Sequence, residues 1–263
     1  MIQRSSLMLA AILGLISASL GLGQDKPARL TFDVMSIKPF QADGRGGGGI
    51  RALPGGQEYQ AQGANVMLMI SLMYKIPIRQ IAGGPDWLNS DRWNIDAKAD
   101  HAGYSLDDLH IMFQNMLADR FQLKFHKETK EGPVYAMTID KSGLKMKVNE
   151  SPEPFKIPMN GGPDGVVGTR VPMQYLTWWL GQQLQQDGRP VINKTGLDGN
   201  YDFTLSFLPE LPPNVNRDEL PAALLDRPNI FQALREQLGL KLEPQKGPVE
   251  YFVIDSAAKP AAN

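Results

Sequence analysis

The residues that could support catalysis or metal binding are few and scattered. The chain has three histidines, His101, His110 and His126, and no cysteine. Thiol catalysis and Cys-ligated metal are therefore excluded, and a zinc site would need Asp or Glu beside the histidines. No His-Glu-x-x-His arrangement occurs. We predict no bound metal and three solvated surface histidines, with His110 on the polar side of its helix and His126 in a charged turn.

Two pairs of carboxylates stand close together in the chain, Asp86 with Asp91 and Asp107 with Asp108. Paired carboxylates carry out glycoside hydrolysis. Asp86, however, stands in a Pro-Asp-Trp segment typical of a turn, where Asp accepts hydrogen bonds from the backbone. The Gly-x-Ser-x-Gly elbow of α/β-hydrolases does not occur, whereas a Ser-His-Asp triad assembled from distant residues stays open. We predict no catalytic residue.

A glycine run, Gly44–Gly49, formally contains the Gly-x-Gly-x-x-Gly pattern. A dinucleotide site needs that pattern to open a helix directly after a strand. Here the following residues, Ile50 to Gly56, include Pro54 and two more glycines and do not favour a helix. The run therefore predicts a flexible hairpin or lid, and we expect no organic cofactor.

An aromatic patch is the best candidate for a binding surface. Near residues 172–186, the helical period places an apolar stripe on one face, made of Met173, Leu176, Leu180 and Leu184. Three aromatic residues lie on the far side of that helix: Tyr175, Trp178 and Trp179. Either another segment covers them, or they form a recognition surface, because Trp and Tyr supply rigid amphipathic contact area. Trp87 is a further candidate for the same surface.

The elements that position these residues indicate an α+β fold with mainly antiparallel sheets, because helices and strands alternate at short, hairpin-like spacing. Residues 105–120 and 229–238 have the helical period. Residues 66–74 are apolar nearly all round, which predicts a deeply buried helix.

The chain also contains an apparent duplication. Residues 116–125 and 233–242 each read as a helix end running into a strand, and each is followed by Gly-Pro-Val, at 132–134 and 247–249. We predict two tandem repeats, each of two helices packed on a small sheet. Their predicted extents are 30–147 for the first repeat, 148–168 for a linker, and 169–258 for the second repeat, with a proline-rich excursion at 209–228.

The N-terminus predicts export. Arg4 precedes an apolar run from Leu7 to Leu22, and Gly21 and Gly23 fit the small-residue positions of a cleavage site. We predict a signal peptide at 1–23, no transmembrane segment after its removal, and a periplasmic or extracellular protein. The formal net charge of -1 argues against a nucleic-acid partner, which would require clustered Lys and Arg.

Several motifs together resemble a secreted soil-bacterial family known as a domain of unknown function. They are residues 32–39, the Ala-Gly-Gly-Pro-Asp-Trp-Leu segment at 82–88, Leu-Ala-Asp-Arg-Phe at 117–121, residues 194–202 and the ending at 259–263. The Leu-Gly-Leu element is also similar to the short N-terminal domains of secretins and TonB-dependent receptors, and related domains are fused to antibiotic-sensing membrane proteins.

These resemblances imply recognition in the cell envelope. We expect an exported, non-catalytic binding or sensing module whose partner is an envelope protein or a cell-wall polymer. The alternatives are a hydrolase acting on an envelope polymer and a structural scaffold of an envelope complex.

Overall fold

The part of the chain that the structure describes folds into three sheets with helices packed against them. A computed structural model describes residues 29–41, 49–151, 159–162, 165–184, 187–210, 216 and 220–261. These residues form three four-stranded sheets and six α-helices, a mixed α/β arrangement in which seven of the nine strand pairings are antiparallel. The predicted signal peptide and residues 42–48 of the glycine run lie outside the described residues.

The secondary structure falls into two halves, residues 29–139 and 140–256. The first half contains strands β1 (Val34–Pro39), β2 (Gly49–Ala52), β3 (Glu58–Ala64), β4 (Ile81–Gly83), β5 (Trp93–Lys98) and β6 (Lys124–Ile139), with helices α1 (Val66–Tyr74), α2 (Trp87–Ser90) and α3 (Leu106–Arg120) and a 3-10 turn at Ile78–Gln80. The second half contains strands β7 (Lys147–Val148), β8 (Met159–Gly162), β9 (Gly165–Pro172), β10 (Val191–Asn193), β11 (Asn200–Leu205) and β12 (Leu240–Ser256), with helices α4 (Met173–Gln183), α5 (Ala222–Leu225) and α6 (Ile230–Ala233) and a π-helical turn at Leu234–Leu238.

Two outer sheets flank a middle sheet that both halves build. The outer sheets have the strand orders β1-β5-β3-β2 and β7-β11-β9-β8, and the middle sheet has the order β10-β6-β12-β4. In the middle sheet, β6 and β12 pair antiparallel, with Gly132 opposite Gly247. The short strand β4 pairs with β12, and β10 pairs with β6, both in parallel. Each half therefore adds a short strand to the long strand of the other half.

The hydrophobic core of the described residues consists of two clusters. The first gathers side chains from residues 32–123 together with Phe252 and Ile254 from the end of β12. The second gathers residues 135–242, including Tyr135 and Met137 from the end of β6. The long strands thus tie the two clusters together. Strand β8 and the start of β9 fall within the predicted linker at 148–168, and α5 falls within the predicted excursion at 209–228.

The four predicted helices are present, the one at 229–238 as α6 followed by the π-helical turn. Helix α3 begins where predicted because Ser105 and Asp108 form a capping box, each side chain bonding to the backbone of the other residue. The apolar stripe of α4 is confirmed, since Met173, Leu176, Leu180 and Leu184 are all buried. Helix α1 is largely buried, as predicted, with Val66, Met69, Ile70, Ser71 and Met73 covered, although Leu68 is 42% exposed on its outer side.

Each outer sheet contains the same irregularity. In the first half, Gly63 has a φ of 61° and its N–H donates to Oδ1 of Asn94 on β5, 2.9 Å away. In the second half, Arg170 has a φ of 53° and its N–H donates to Oδ1 of Asp202 on β11, 2.8 Å away. The strand register shifts at both places, so a left-handed residue and an Asx side chain form a bulge in each sheet.

Candidate functional site

A cleft of about 210 Å³ opens where the two halves meet. One wall is the end of α1 with the loop after it, another is the side of α4, and the remaining lining comes from the middle sheet. The lining residues are Tyr74 to Pro77, Gln80, Lys127, Gln174, Thr177, Trp178, Pro190 to Ile192, and Pro248 to Glu250.

The walls are held in place by packing on either side of the cleft. Tyr74, the last residue of α1, packs edge-on against the rings of Phe125 and Phe252, with centroids 5.0 and 5.2 Å away. Burial raises the pKa of Tyr74 to about 12, so its hydroxyl stays neutral. A side chain added at Gly181 of α4 would place its Cβ 3.8 Å from Pro77 Cγ, so the two walls meet at this glycine.

Trp178 presents a polar group without a partner. The buried stripe of α4 turns this half-buried residue toward the cleft, and its ring lies 5.5 Å from the ring of Tyr175. The indole Nε1 is buried and has no hydrogen-bond partner among the described residues. Indole nitrogen is only a donor, and most buried Trp N–H groups are bonded.

Gln80 presents the complementary group. It lies in the 3-10 turn after α1 and is 6% exposed. Its Nε2 donates to the backbone oxygen of Glu250, 2.6 Å away, which fixes the amide so that Oε1 is the remaining acceptor. That Oε1 is buried and has no partner among the described residues. Two of the residues that line the cleft therefore each carry a buried, unpaired polar atom, one a donor and one an acceptor, and each of these atoms costs free energy in the unbound protein.

Two lysines add positive charge to the lining. Lys75 Nζ lies 2.8 Å from Asp107, and its side chain is only 10% exposed. Lys127 Nζ lies 3.1 Å from Glu250, and both of these side chains are about half exposed, at 56% and 49%. An ion pair that is this exposed contributes little to stability and exchanges readily with other partners.

The four predicted aromatic residues occupy different places. Trp178 lines the cleft, and Tyr175 packs beside it with its pKa raised by burial. Trp179 instead packs against Phe207 in the second core cluster, with ring centroids 5.9 Å apart. Trp87 is stacked on a core phenylalanine of the first cluster, and a lysine from the C-terminal segment lies over its ring. The structure brings Tyr175 and Trp178 together and places the other two elsewhere.

The prediction that His110 is a solvated surface residue is wrong. It is 1% exposed, and its Nε2 lies 3.0 Å from the hydroxyl of Tyr59. Burial first, and then the nearby charge of Lys75, lower the pKa of His110 to about 3, so the ring is neutral. The reason is that α3 packs against both α1 and the sheet, so residues beside its apolar stripe are also covered.

The other two histidines lie on the surface, as predicted, but the prediction that His126 lies in a charged turn is wrong, because it lies within strand β6 and pairs with Val253 of β12. His101 stacks on the ring of Tyr104. His126 lies between Asp255, 2.8 Å from its Nδ1, and Glu128, 3.4 Å from its Nε2, and these hydrogen bonds raise its pKa. Within the part of the chain that the structure describes, no three His, Asp or Glu side chains gather so that they could hold a metal ion.

The carboxylates singled out from the sequence do not converge on the cleft. Asp91 pairs with Lys259, 2.7 Å away, Asp107 pairs with Lys75, and Asp108 caps α3. Sequence reasoning missed Gln80, Lys127 and Glu250. No local signal could have found Gln80, because its hydrogen-bond partner is 170 positions away in the chain.

No helix among the described residues is long and apolar enough to cross a membrane. Comparison with protein families matches residues 67–257 to the family described as "Protein of unknown function (DUF3738)". The match covers more than half of the chain, so the chain belongs to this family. Neither the curated proteins nor the solved structures include a match to the chain.

Proposed function

We propose that this DUF3738 protein is an exported, non-catalytic binding or sensing module of the cell envelope, and that the cleft between its halves is the binding site. One observation carries the proposal. A buried donor, Trp178 Nε1, and a buried acceptor, Gln80 Oε1, both belong to residues that line the cleft and both lack a partner among the described residues. Buried polar groups are normally bonded, and a ligand that pairs them would recover that cost on binding.

The non-catalytic part of the proposal rests on the state of the charged groups. Glu250 is the one carboxylate among the lining residues, and it is paired with Lys127. Glycoside hydrolysis would need two carboxylates facing each other. The other titratable groups of the lining, Tyr74 and Lys75, are a neutral phenol and a lysine bound to Asp107.

Export is supported by the sequence of the first 23 residues, with its basic start, apolar run and small residues near the end. N-terminal sequencing of the protein recovered outside the cytoplasm is expected to begin at Gln24. Recovery of intact Met1 on a membrane-bound protein would contradict export by a cleaved signal peptide.

We also infer that the two halves are tandem repeats of one unit. The matching strand orders of the outer sheets, the two bulges and the exchanged short strands support this inference. Positive φ recurs at the entry to both long strands, at Gln122 before β6 and at Gly239 before β12. The repeat boundaries at 147 and 169 stay a prediction.

The binding proposal is tested by cosedimentation of residues 24–263 with purified cell-wall sacculi and by retention on immobilised envelope proteins. We expect the wild-type protein and Trp179→Phe to be retained by one of the two, and Trp178→Phe to be retained at least several-fold less. Trp179 is the matched control because it neighbours Trp178 on α4 but packs into the core. Equal retention of the two variants, or no retention of any form, would overturn the proposal.

A further inference from the structure

We propose that the ligand of the cleft is a short peptide with a free carboxylate. This inference rests on the proposed function, since it names the ligand class of the same site. It follows from the types of the unpaired groups, the character of the walls, the charge at the rim and the size of the cleft.

A peptide group matches the two unpaired atoms. Its carbonyl oxygen would accept from Trp178 Nε1, and its N–H would donate to Gln80 Oε1. Both atoms are covered in the free protein, so the side chains around them must shift for a ligand to reach them.

The remaining lining offers both polar groups and an apolar surface, as a peptide requires. Its exposed surface is more polar than apolar, and the apolar part includes Ile76, Pro77, Val191, Pro248 and Val249. Thr177 already donates its hydroxyl to the backbone oxygen of Gln174. A sugar needs partners for many hydroxyls, whereas a peptide unit needs two hydrogen bonds and an apolar surface for its side chain.

The charge at the rim favours a carboxylate. The exposed Lys127 is held by its pair with Glu250 and lies 5.0 Å from the centre of the Phe252 ring, so its ammonium can turn to a carboxylate of the ligand without breaking a buried ion pair. Lys75, by contrast, is largely buried and stays bound to Asp107. The volume of about 210 Å³ is below the roughly 300–1,000 Å³ of typical ligand pockets, so the cleft encloses only a short segment.

The test uses acetyl-trialanine with a free carboxylate and the same peptide as its carboxamide, titrated into 15N-labelled residues 24–263. The four tryptophans give four indole N–H resonances in the NMR spectrum. We expect the Trp178 resonance, identified with Trp178→Phe, to shift and saturate at low-millimolar peptide, while those of Trp87, Trp93 and Trp179 stay in place. The carboxamide should bind several-fold more weakly.

Three variants assign the contacts. Gln80→Leu and Lys127→Met are followed by the Trp178 resonance, and Trp178→Phe by backbone amide shifts around the cleft. Gln80→Leu and Trp178→Phe should weaken binding about tenfold, the loss of one hydrogen bond. Lys127→Met should abolish the preference for the carboxylate over the carboxamide. Trp179→Phe is the control, and melting temperatures show that each variant is folded.

Equal shifts of all four indoles, no shift up to about 20 mM peptide, or unchanged binding by Gln80→Leu would overturn the peptide assignment. The proposed function is judged separately. Retention on sacculi or envelope proteins that depends on Trp178, without any response to the peptide, would leave the binding module standing and reject only this ligand class.

Discussion

The two outer sheets form the same bulge from different residues. The comparison shows that the left-handed backbone and the Asx hydrogen bond recur, while the residue that adopts the left-handed conformation differs. The first half places Gly63 at the left-handed position, where glycine has no steric penalty, and the second half places Arg170 there, at a cost of about 1–2 kcal/mol. Both are held by an Asx side chain, but Asp202 also accepts two hydrogen bonds from Asn149, at 2.9 and 2.8 Å. The second half thus offsets a strained backbone with a stronger polar network.

The helices that follow the two bulges differ at the positions beside their shared apolar stripes. Helix α1 buries Val66, Met69 and Met73, and α4 buries Met173, Leu176 and Leu180 at the same spacing. When these buried residues are aligned, Ser71 and Leu72 of α1 correspond to Trp178 and Trp179 of α4. The inward faces are therefore alike, while only the second half presents an indole to the cleft.

The largest expected effect is the loss of the Asp202 network. Asp202→Ala removes the acceptor for the Arg170 N–H and for Asn149, and we expect the free energy of unfolding to fall by about 3 kcal/mol. Asn94→Ala, which removes one acceptor in the first half, should cost about 1 kcal/mol. Urea denaturation measures both, with the exposed Asp198→Ala as the control. Equal losses at Asp202 and Asn94 would contradict the stronger network in the second half.

Substitutions of the two tryptophans of α4 are expected to have different effects, one mainly on stability and the other mainly on ligand binding. Trp179→Ala removes a half-buried ring that packs on Phe207, and we expect a loss of about 2 kcal/mol. Trp178→Ala should cost less than half of that, because its ring borders an open cleft, but it should impair ligand binding. The melting temperature and sacculus retention are measured on both variants. A larger stability loss at Trp178 than at Trp179 would make Trp178 a core residue.

The buried histidine of the first half is expected to make stability depend on pH. His110 lies five residues after the N-cap of α3. The buried Leu234 lies five residues after the N-cap of α6 and so occupies the corresponding position in the second half. With a folded pKa of about 3 and an unfolded pKa near 6.5, the unfolded state binds the extra proton between these values. The stabilisation is complete above pH 6.5 and is lost as pH falls, by about 2 kcal/mol at pH 5.

Urea denaturation at pH 7 and pH 5 tests this dependence. His110→Leu should flatten the difference between the two pH values, even though it leaves Tyr59 without its partner. The raised pKa of His126 acts in the opposite direction, since its ion pairs stabilise the protonated form, so His126→Gln should steepen the fall. An unchanged difference between pH 7 and pH 5 in His110→Leu would show that other groups cause it.

The smallest expected effect compares the two left-handed residues directly. Gly63→Ala forces a side chain into φ 61°, with its Cβ 3.2 Å from the ring of Phe40, and should cost about 1 kcal/mol or slightly more. Arg170→Gly relieves the strain but loses the contacts of the arginine, so we expect a change within about 0.5 kcal/mol. Melting temperatures check both substitutions. A clear loss in Arg170→Gly would show that the side chain of Arg170 outweighs its backbone strain.

The sequence by itself determined the local elements of this protein. Helix α3, the buried stripe of α4 and the strands at the two Gly-Pro-Val segments follow from helical period and β-propensity, which act over a few residues. The mainly antiparallel character also followed, because the spacing of the elements is short. Export and the nature of the partner stay predictions.

Only the tertiary structure decided how the halves share the middle sheet and where the cleft lies. The exchange of β4 and β10 depends on pairing between strands more than 50 positions apart, and no local period records it. The same holds for His110, whose helix is covered from two sides, and for Gln80, which is fixed by the backbone of Glu250. The burial of a side chain depends on the elements that pack around it in the folded protein. The pattern within one helix therefore shows which face is most apolar, but not how much of the helix surface is covered.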